Sequence, residues 1–390
     1  MSKTLTEIAK QLRDANKKVQ LIYAFNGSGK TRLSRAFKDH VAPKASNAEG
    51  EDEATPSRTK ILYYNAFTED LFHWDNDLEL DAEPKLKIQP NSFTNWILEE
   101  QGQDQNIIAN FQRYTNDKLT PQFNAEYEIP DKADVAKKVS IPAFSEVTFS
   151  LERGDNDHLG NLKISKGEES CFIWSIFYTL VDQVIGILNV PEPGERETNQ
   201  FDNLEYVYID DPVSALDENH LIQMAVNLGQ LIRSSTSEIR FIISTHSPLF
   251  YNVLYNELGV KSGFILSSLD DGTFELEEKR GDSNKSFAYH LHIKNLIQQA
   301  IDQQAVQRYH FALLRNLYEK TANFLGYKRW SDLLPGDQQA YASRIMNFYP
   351  HNTLSNEEIA EPTGPEKAMV GLLLENLNNY GFMQQEEQNG

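Results

Sequence analysis

The sequence is poor in cysteine, in long apolar runs and in positive charge. One cysteine, Cys171, in 390 residues excludes a disulfide framework and every cysteine-rich zinc module, and it fits a reducing cytoplasm best. The polar, amphipathic opening residues contain no apolar core of the kind that a signal peptide needs, so we expect none. The sequence also shows no internal repeat and no heptad run long enough for a coiled coil.

One segment, residues 171–190, is apolar enough to be considered as a membrane span. Asp182 and Gln183 lie near its middle, and a carboxylate at the centre of a bilayer is costly. We therefore expect a buried core helix here and no contact with a membrane.

Positive charge is scarce overall but locally concentrated. The chain has 37 Lys and Arg against 57 Asp and Glu, a net charge of −20, which argues against a general coat for nucleic acid. Residues 279–350, however, hold ten Lys and Arg against five Asp and Glu. This segment is either a binding face for a polyanion or an ordinary solvated helical face, and charge alone favours the second interpretation.

Three continuous apolar runs predict buried strands of a parallel sheet, at residues 19–25, 204–209 and 239–244. Each run ends where a polar turn begins. Short strand-like runs, such as residues 159–165, and a helical piece, residues 92–114, lie between the first two. The sequence therefore predicts an α/β fold for this part of the chain.

From about residue 286 the apolar spacing becomes helical. Residues 288–303 and 306–325 have apolar positions at i, i+3 and i+4, and Gly326 is a stop signal. We place a domain boundary near residue 280, between a head of residues 1–280 and a helical domain of residues 281–390. Two polar stretches, 43–59 and 191–203, are predicted to be loops.

Residues 24–31, Ala-Phe-Asn-Gly-Ser-Gly-Lys-Thr, fit the phosphate-binding loop pattern with alanine in place of its first glycine. A strand precedes the loop and a helix-like segment follows it, as the motif requires. Glycines allow the backbone N–H groups to approach phosphate oxygens, the lysine reaches the β- and γ-phosphates, and the Thr31 hydroxyl ligates Mg²⁺. The alternative is an ordinary glycine-rich turn. The residues that we assign to nucleotide binding here are Asn26, Gly27, Ser28, Gly29, Lys30 and Thr31.

The second predicted strand ends in two acids, Asp210 and Asp211. A carboxylate at the carboxyl end of a parallel strand, beside a phosphate loop, lies where a Mg²⁺–nucleotide needs a ligand. We assign Asp210 to the metal, directly or through water, and Asp211 to orienting or deprotonating the attacking water. Taken alone, the pattern is equally consistent with a capped turn.

Four more positions complete the candidate nucleotide site. Asp217 ends a Ser-Ala-Leu-Asp segment, and His246 follows the third strand, where it is able to hydrogen-bond a γ-phosphate. A single histidine at a strand end is, however, more often an ordinary surface residue. Upstream, Ser165 and Gly167 precede a long apolar helix, and a helix N-terminus of this kind suits a phosphate.

The order of phosphate loop, signature segment, metal acids, Ser-Ala-Leu-Asp loop and switch histidine resembles an ABC-type ATPase head. The resemblance implies that the signature of one subunit closes over the nucleotide of another, so that the protein is at least a dimer. It also places Asn65 in the loop that contacts Mg²⁺ and the attacking water. Two departures are present: the signature reads Ile-Ser-Lys-Gly-Glu, and Asp211 replaces the usual glutamate, which predicts slow turnover.

The helical region contains Arg315 and Glu319 one helical turn apart, a spacing whose commonest role is a surface ion pair. Downstream lie His351 and, seven residues before it, Arg344. Arg, Glu and His together suffice for RNA cleavage without a metal. A base takes the 2′-hydroxyl proton, an acid protonates the leaving 5′-oxygen, and a guanidinium stabilises the phosphorane.

The opening residues, the phosphate-loop segment, the Asp-Asp-Pro-Val-Ser-Ala-Leu-Asp segment and residues 280–292 closely resemble the PrrC anticodon nuclease family over nearly the whole chain. The resemblance implies an ABC-type P-loop NTPase head followed by a mainly helical, HEPN-like nuclease domain. The family cuts lysine tRNA on the 5′ side of the wobble base, leaving a 2′,3′-cyclic phosphate and a 5′-hydroxyl. It implies Glu319 as general base, His351 as general acid and Arg315 as phosphorane stabiliser, with Arg344 as a rival guanidinium in the HEPN spacing.

Residues 280–292, Arg-Gly-Asp-Ser-Asn-Lys-Ser-Phe-Ala-Tyr-His-Leu-His, match the family's region for recognising the anticodon. An acid here is able to pair with a cationic substituent on a modified wobble uridine, and aromatic rings offer stacking faces for splayed bases. Without the resemblance, a simple turn is the preferred interpretation. The residues implied in substrate binding are Asp282, Ser283, Phe287, Tyr289 and His290.

The resemblance further implies partners and cofactors. These are ATP or GTP with Mg²⁺, dTTP as a regulatory nucleotide, a type I restriction–modification complex that silences the nuclease, and a phage-encoded peptide that releases it. A homodimer or tetramer is expected. Two alternative functions fit parts of the sequence: a DNA-associated ABC-type ATPase of the chromosome-maintenance or repair kind, and a nucleotide-dependent scaffold in which Arg315 and Glu319 are only a salt bridge.

Overall fold

The structure is a computed structural model that describes residues 2–43, 60–65, 68, 70–76, 83–130, 137–153, 157–159, 161–212, 216, 218–269, 271–280, 289–336, 339 and 362–381. The chain divides into two compact units, Met1–Gly281 and Asp282–Gly390.

Strands and helices alternate along most of the first unit, whereas the second unit is helical. The strands are β1 (Val19–Tyr23), β2 (Ile61–Tyr64), β3 (Phe72–Asp75), β4 (Lys85–Ile88), β5 (Leu119–Phe123), β6 (Tyr127–Pro130), β7 (Lys138–Ile141), β8 (Glu146–Arg153), β9 (Asp157–Leu159), β10 (Tyr206–Asp210), β11 (Arg240–Thr245), β12 (Ser262–Ser268) and β13 (Phe274–Arg280). The helices are α1 (Leu5–Asp14), α2 (Lys30–Val41), α3 (Ser92–Asn95, continued by a π-helical turn over Trp96–Glu100), α4 (Asp104–Tyr114), α5 (Lys166–Leu188), α6 (Glu218–Ser234), α7 (Pro248–Leu258), α8 (Tyr289–Asp302), α9 (Arg308–Leu325) and α10 (Gly364–Asn376).

Six strands form the central sheet of the first unit in the order β13-β12-β1-β11-β10-β2. All neighbours in it are parallel except the hairpin of β12 and β13. The three strands at its centre, β1, β11 and β10, are the three predicted from continuous apolar runs, and those predictions are confirmed. Because they run in the same direction, their carboxyl ends meet at one edge: Tyr23 pairs with Thr245, and Asp210 pairs with Ser244.

Other local predictions are mixed. The predicted strand at residues 159–165 is wrong, since β9 ends at Leu159 and residues 161–165 form no strand. The predicted helix at residues 92–114 is broken at residues 101–103, where Gly102 has a φ of +59°. Residues 191–203 form a loop with one short helical turn, as expected. Of the other predicted loop, residues 44–59 lie outside the described residues.

The long apolar helix α5 is a core helix, as predicted. By length and composition it would pass as a membrane span, but 78% of its apolar window is buried inside the protein. On one side it packs against the antiparallel sheet β3-β4-β8-β5, where the rings of Phe111, Phe149 and Phe172 contact one another. Burial of these rings accounts for an all-round apolar sequence without a bilayer.

The second unit is built around α8, α9 and α10. Its buried side chains include Phe311, Leu314 and Tyr318 of α9, and the Tyr318 hydroxyl donates a 2.8 Å hydrogen bond to the Leu373 carbonyl. Gly326 ends α9 with a φ of +77°, which confirms the predicted stop. The chain therefore has the predicted α/β architecture, a head in which the candidate phosphate loop follows β1 of the central sheet, and a helical C-terminal unit.

Candidate nucleotide site and candidate nuclease site

The phosphate-binding loop joins β1 to α2. Gly27 and Gly29 have φ values of +82° and +89°, which side chains with a Cβ rarely adopt. A Cβ at Gly27 would meet nothing within 4 Å, whereas one at Gly29 would lie 2.8 Å from Cε1 of Phe274 on β13. Both glycines are therefore required, the first by its backbone conformation and the second also by close packing.

The lysine of the loop is buried and held by the loop itself. Lys30 is 7% exposed, and its Nζ donates to the carbonyls of Ala24 (3.2 Å) and Phe25 (3.3 Å) and to Oδ1 of Asn26 (3.3 Å). It also lies 3.5 Å from the Asp211 carboxylate. The loop thus surrounds a cation at the point where phosphate oxygens are expected.

Asp210 is a buried carboxylate whose partners are hydroxyl groups. It is 1% exposed, and it accepts hydrogen bonds from Ser244 Oγ (2.6 Å) and Ser34 Oγ (3.2 Å). Burial raises the pKa of Asp210, and the hydrogen bonds from Ser244, Thr31 and Ser34 offset this only in part. A carboxylate in this condition is stabilised by an added cation.

Asp211, the next residue, has the opposite electrostatic environment. His246 Nδ1 lies 2.7 Å from its carboxylate, and the His246 backbone N–H donates to it at 3.2 Å. Burial raises the pKa of Asp211, but the hydrogen bonds and charge of His246, together with Lys30, hold it below the ordinary value. The Asp211 backbone is left-handed, with a φ of +55°, a conformation that Asp adopts more readily than most residues.

A series of hydrogen-bonded polar side chains, which the sequence did not predict, supports Asp210. The buried Asn65 donates through Nδ2 to the Tyr63 hydroxyl (2.8 Å), which lies 2.7 Å from Ser34 Oγ, and Ser34 in turn contacts Asp210. Ser34 lies one helical turn after Lys30, and Ser244 is paired with Asp210 in the sheet. Such spacing is a usable signal only once the strand order is known.

These residues fit a Mg²⁺–nucleotide. Among the described residues, no cluster of three His, Cys, Asp or Glu side chains is positioned to hold a metal by itself. Mg²⁺ is commonly bound through one or two protein oxygens, with phosphates and water as its remaining ligands. Thr31 and Asp210 supply such oxygens, because the Thr31 side chain hydrogen-bonds Asp210.

The signature residues lie at the start of α5, on a different element. Ser165 is the N-cap, its Oγ accepts from the Glu168 N–H at 3.3 Å, and Glu168 accepts from the Ser165 N–H at 2.7 Å. Gly167 lies in the first turn. Trp74 Nε1 on β3 donates to Glu169 of this turn at 2.8 Å, which ties the antiparallel sheet to the signature. The predicted Asp217 lies outside the described residues.

In the second unit, Arg315 and Glu319 face each other on α9. Arg315 Nε donates to Glu319 Oε1 at 2.8 Å, the two side chains are 21% and 40% exposed, and the guanidinium lies 5.5 Å from the Trp330 ring centre. On α8, desolvation and the charge of Lys320 lower the pKa of His290. Tyr289 is the first residue of α8. The remaining predicted residues, Arg344, His351, Asp282, Ser283 and Phe287, lie outside the described residues.

Fold and geometry define a P-loop nucleotide-binding head and a helical unit in one chain. The chain is 60% identical over 413 aligned residues to the curated protein "Anticodon nuclease" of Escherichia coli, with both chains covered completely. The chain therefore belongs to the anticodon nuclease family, a family of endoribonucleases. Membership decides against the alternative of a DNA-associated ATPase without nuclease activity. No family model matches the chain.

Solved structures of SMC heads are also similar to the chain. A SmcHead bound to the C-terminal winged-helix domain of ScpA has 11% identity and a TM-score of 0.33, with 68% of this chain and 91% of that chain covered. The SMC head domain of Thermotoga maritima has 12% identity and a TM-score of 0.28 at the same coverage. A Pyrococcus furiosus Smc head with an extended coiled coil has 12% identity and a TM-score of 0.28, and the chain spans 37% of its length. These scores carry no argument about the fold, which rests on the strand order and the loop position of this chain alone.

Proposed function

We propose that this protein is a cytoplasmic, nucleotide-gated anticodon nuclease of phage defence, which cleaves lysine tRNA on the 5′ side of the wobble base. The observation that carries the proposal is the 60% identity, over the full length of both chains, to the curated anticodon nuclease. The Arg315–Glu319 pair on α9 supports placing the cleavage site in the second unit.

The cleavage chemistry is assigned to three side chains. Glu319, which is accessible to RNA, takes the proton of the 2′-hydroxyl. The 2′-oxygen then attacks the adjacent phosphorus, and the bond from phosphorus to the 5′-oxygen breaks as His351 gives that oxygen a proton. A 2′,3′-cyclic phosphate and a 5′-hydroxyl result. Arg315, fixed by Trp330 and Glu319, stabilises the charge of the phosphorane, and Arg344 is the alternative guanidinium.

Nucleotide control is assigned to the first unit. The loop amides and Lys30 bind the phosphates of ATP or GTP, and Thr31 and Asp210 hold Mg²⁺, which neutralises phosphate charge when bound. Asp211, kept ionised by His246 and Lys30, orients the attacking water. Ser165, Gly167 and Asp217 of a second copy complete the site, so the working form is a homodimer or a tetramer.

Recognition and regulation are assigned to residues 282–290 and to partner molecules. The anticodon loop is bound by Asp282, Ser283, Phe287, Tyr289 and His290, of which His290 lies near Lys320 of α9. A type I restriction–modification complex holds the nuclease silent, a phage-encoded peptide releases it, and dTTP is a regulatory nucleotide. The resemblance to the family supports these assignments.

Cleavage of bulk tRNA tests the proposal. The full-length protein is incubated with total tRNA, with and without chelator, and the 5′-hydroxyl ends are mapped. One main cut in an anticodon loop is expected, and His351→Ala and Glu319→Ala should each lower its rate by at least about 100-fold. Normal cutting by both variants would show that the site is placed wrongly, whereas the absence of any anticodon cut by the wild type would reject the function.

A further inference from the structure

The end of α9 exposes apolar side chains instead of burying them. Up to Ala322 the helix packs its apolar residues into the core of the second unit. In the next seven residues, which we call the α9 tip (residues 323–329), every residue is exposed. Phe324 is 90% exposed, Leu325 42% and Tyr327 44%. A phenylalanine that is exposed to this extent does not contribute the stability that its burial would give. We therefore consider a role in binding.

Cations accompany the aromatic rings of the tip. Lys320 precedes Phe324 by four residues and therefore lies on the same face of α9. Lys328 and Arg329 end the tip, and the Arg329 side chain is 77% exposed, with Asp332 as an ion-pair partner at 3.2 Å. In a chain with a net charge of −20, exposed rings flanked by three cations suit single-stranded nucleic acid, whose bases stack on rings and whose phosphates pair with cations, and they do not suit a purely apolar protein.

The tip is continuous with the candidate nuclease site. Glu319 and Lys320 are neighbours on α9. Phe324 lies about 7.5 Å from Glu319 along the helix axis and about 140° around it, so the ring and the carboxylate lie on different faces of the helix. Trp330, which follows the tip, packs against the Arg315 guanidinium, so the chain returns to the catalytic pair immediately after the tip. A base held by the tip would thus lie within a few nucleotides of the scissile phosphate.

We propose that Phe324 and Tyr327 are stacking residues for unpaired bases near the cut, and that Lys320, Lys328 and Arg329 contact the flanking phosphates. The inference rests on the proposed anticodon nuclease function and adds a second RNA-binding element to it. Stacking does not depend on base identity, so the tip contributes affinity and positioning, and it leaves the choice of tRNA to other residues.

Steady-state cleavage of an anticodon stem-loop RNA by full-length protein tests the stacking role. Phe324→Ala should raise KM about tenfold and change kcat less than twofold, and Phe324→Trp should restore KM. Because the ring is exposed, the melting temperature should stay the same. The matched control is Tyr309→Ala, which removes a 52% exposed ring at the other end of α9 and should leave KM unchanged.

Binding of the same RNA, followed by fluorescence anisotropy as salt is varied, gives an independent measurement. Replacing both Lys328 and Arg329 by alanine should reduce the slope of log affinity against log salt by about 1.4. An unchanged KM and RNA affinity in Phe324→Ala would overturn the proposal. So would a raised KM accompanied by a lower melting temperature, which would show that the ring packs against protein. If the wild type binds the RNA but cuts no tRNA, the proposed function is rejected, and the binding measurements still test the stacking role of the α9 tip.

Discussion

At the scale of single residues, the candidate nucleotide site contains two adjacent acids with opposite properties. Burial raises the pKa of Asp210, and the hydroxyl groups that hydrogen-bond it offset this only in part. Asp211 faces His246 and Lys30, so its pKa is lowered despite burial. An added cation would therefore stabilise the ionised form of Asp210, whereas His246 and Lys30 already stabilise the ionised form of Asp211.

The first prediction concerns Asp210→Asn. A raised pKa means that the stability contribution of Asp210 is present at low pH and is lost as the pH rises through the folded-state pKa. At neutral pH the variant should therefore melt roughly 2–4 °C above the wild type, the shift that about 1 kcal/mol gives in a unit of this size. It should also lose the further stabilisation that Mg²⁺ with nucleotide gives the wild type.

Differential scanning fluorimetry, with and without Mg²⁺–ATP, measures both effects. Asp39→Asn is the matched control, since this carboxylate is exposed on the same helix α2. The control should change neither value. A variant that melts lower than the wild type and still responds to Mg²⁺–ATP would refute the role assigned to Asp210.

The second prediction concerns Asp211→Asn and acid. Because its pKa is lowered, Asp211 contributes stability above its ordinary value of 3.8 and loses it as the pH falls through the lower folded-state pKa. The variant should be less stable than the wild type by about 1.5–3 kcal/mol at pH 7, the worth of hydrogen bonds to a charged group. Urea unfolding at pH 7 and below pH 3.8 should show this difference shrinking. A difference that is constant with pH would show that the charge of Asp211 has no part in it.

At the scale of secondary-structure elements, local pattern predicted some features and missed others. Strands β1, β10 and β11 are buried on both faces, so their sequences are continuously apolar and recognisable. Residues 159–165 also look strand-like, but the pattern does not tell whether a neighbouring strand is available, and none pairs with residues 161–165. The sequence likewise could not show that β13 places Phe274 against Gly29, because that contact joins residues far apart in the chain.

The third prediction uses that contact. Gly29→Ala should destabilise the protein by about 1–2 kcal/mol from its left-handed backbone, with a further cost from the 2.8 Å approach to Phe274. In a Phe274→Ala background the cost of the close approach should vanish, and the cost of the left-handed backbone should remain. Urea unfolding of the four proteins in this cycle measures the coupling. Gly186→Ala, in an open position of α5, is the control and should be neutral or stabilising. A coupling of zero would show that the loop does not pack on β13.

The candidate sites illustrate the same limit. The sequence predicted the loop residues, both acids and the Arg315–Glu319 spacing, because each belongs to a short contiguous pattern. Ser34, Tyr63 and Ser244 were missed, since what joins them to Asp210 is the folding of separate segments. The roles of the nuclease residues stay predictions, because His351 and Arg344 lie outside the described residues.

At the scale of the whole molecule, the chain joins a nucleotide-binding unit to a helical unit that carries the Arg315–Glu319 pair. The proposed gating requires that events at Lys30 change the rate of RNA cleavage. The fourth prediction is that Lys30→Ala in the full-length protein makes tRNA cleavage independent of added ATP or GTP, while a basal rate of cutting persists. Lys30 holds a cation at the loop where phosphate oxygens are expected, so its removal should lower nucleotide affinity by at least about tenfold.

Cleavage rates over a series of nucleotide concentrations test this prediction, with Lys10→Ala on the exposed side of α1 as the control. The control should respond to nucleotide as the wild type does. If Lys30→Ala retains the full response, the gating does not act through the phosphate loop.

The register of the central sheet has a consequence for how the protein is made. Strand β1 pairs on one side with β11 and on the other with β12, both more than 200 residues later in the chain. During synthesis, β1 is therefore not paired on both sides until about residue 268 has been made. Until then its apolar side chains are covered only by chaperones or transient contacts. The helical unit, which carries the Arg315–Glu319 pair, is translated only afterwards, so the central sheet is able to close before that unit is complete.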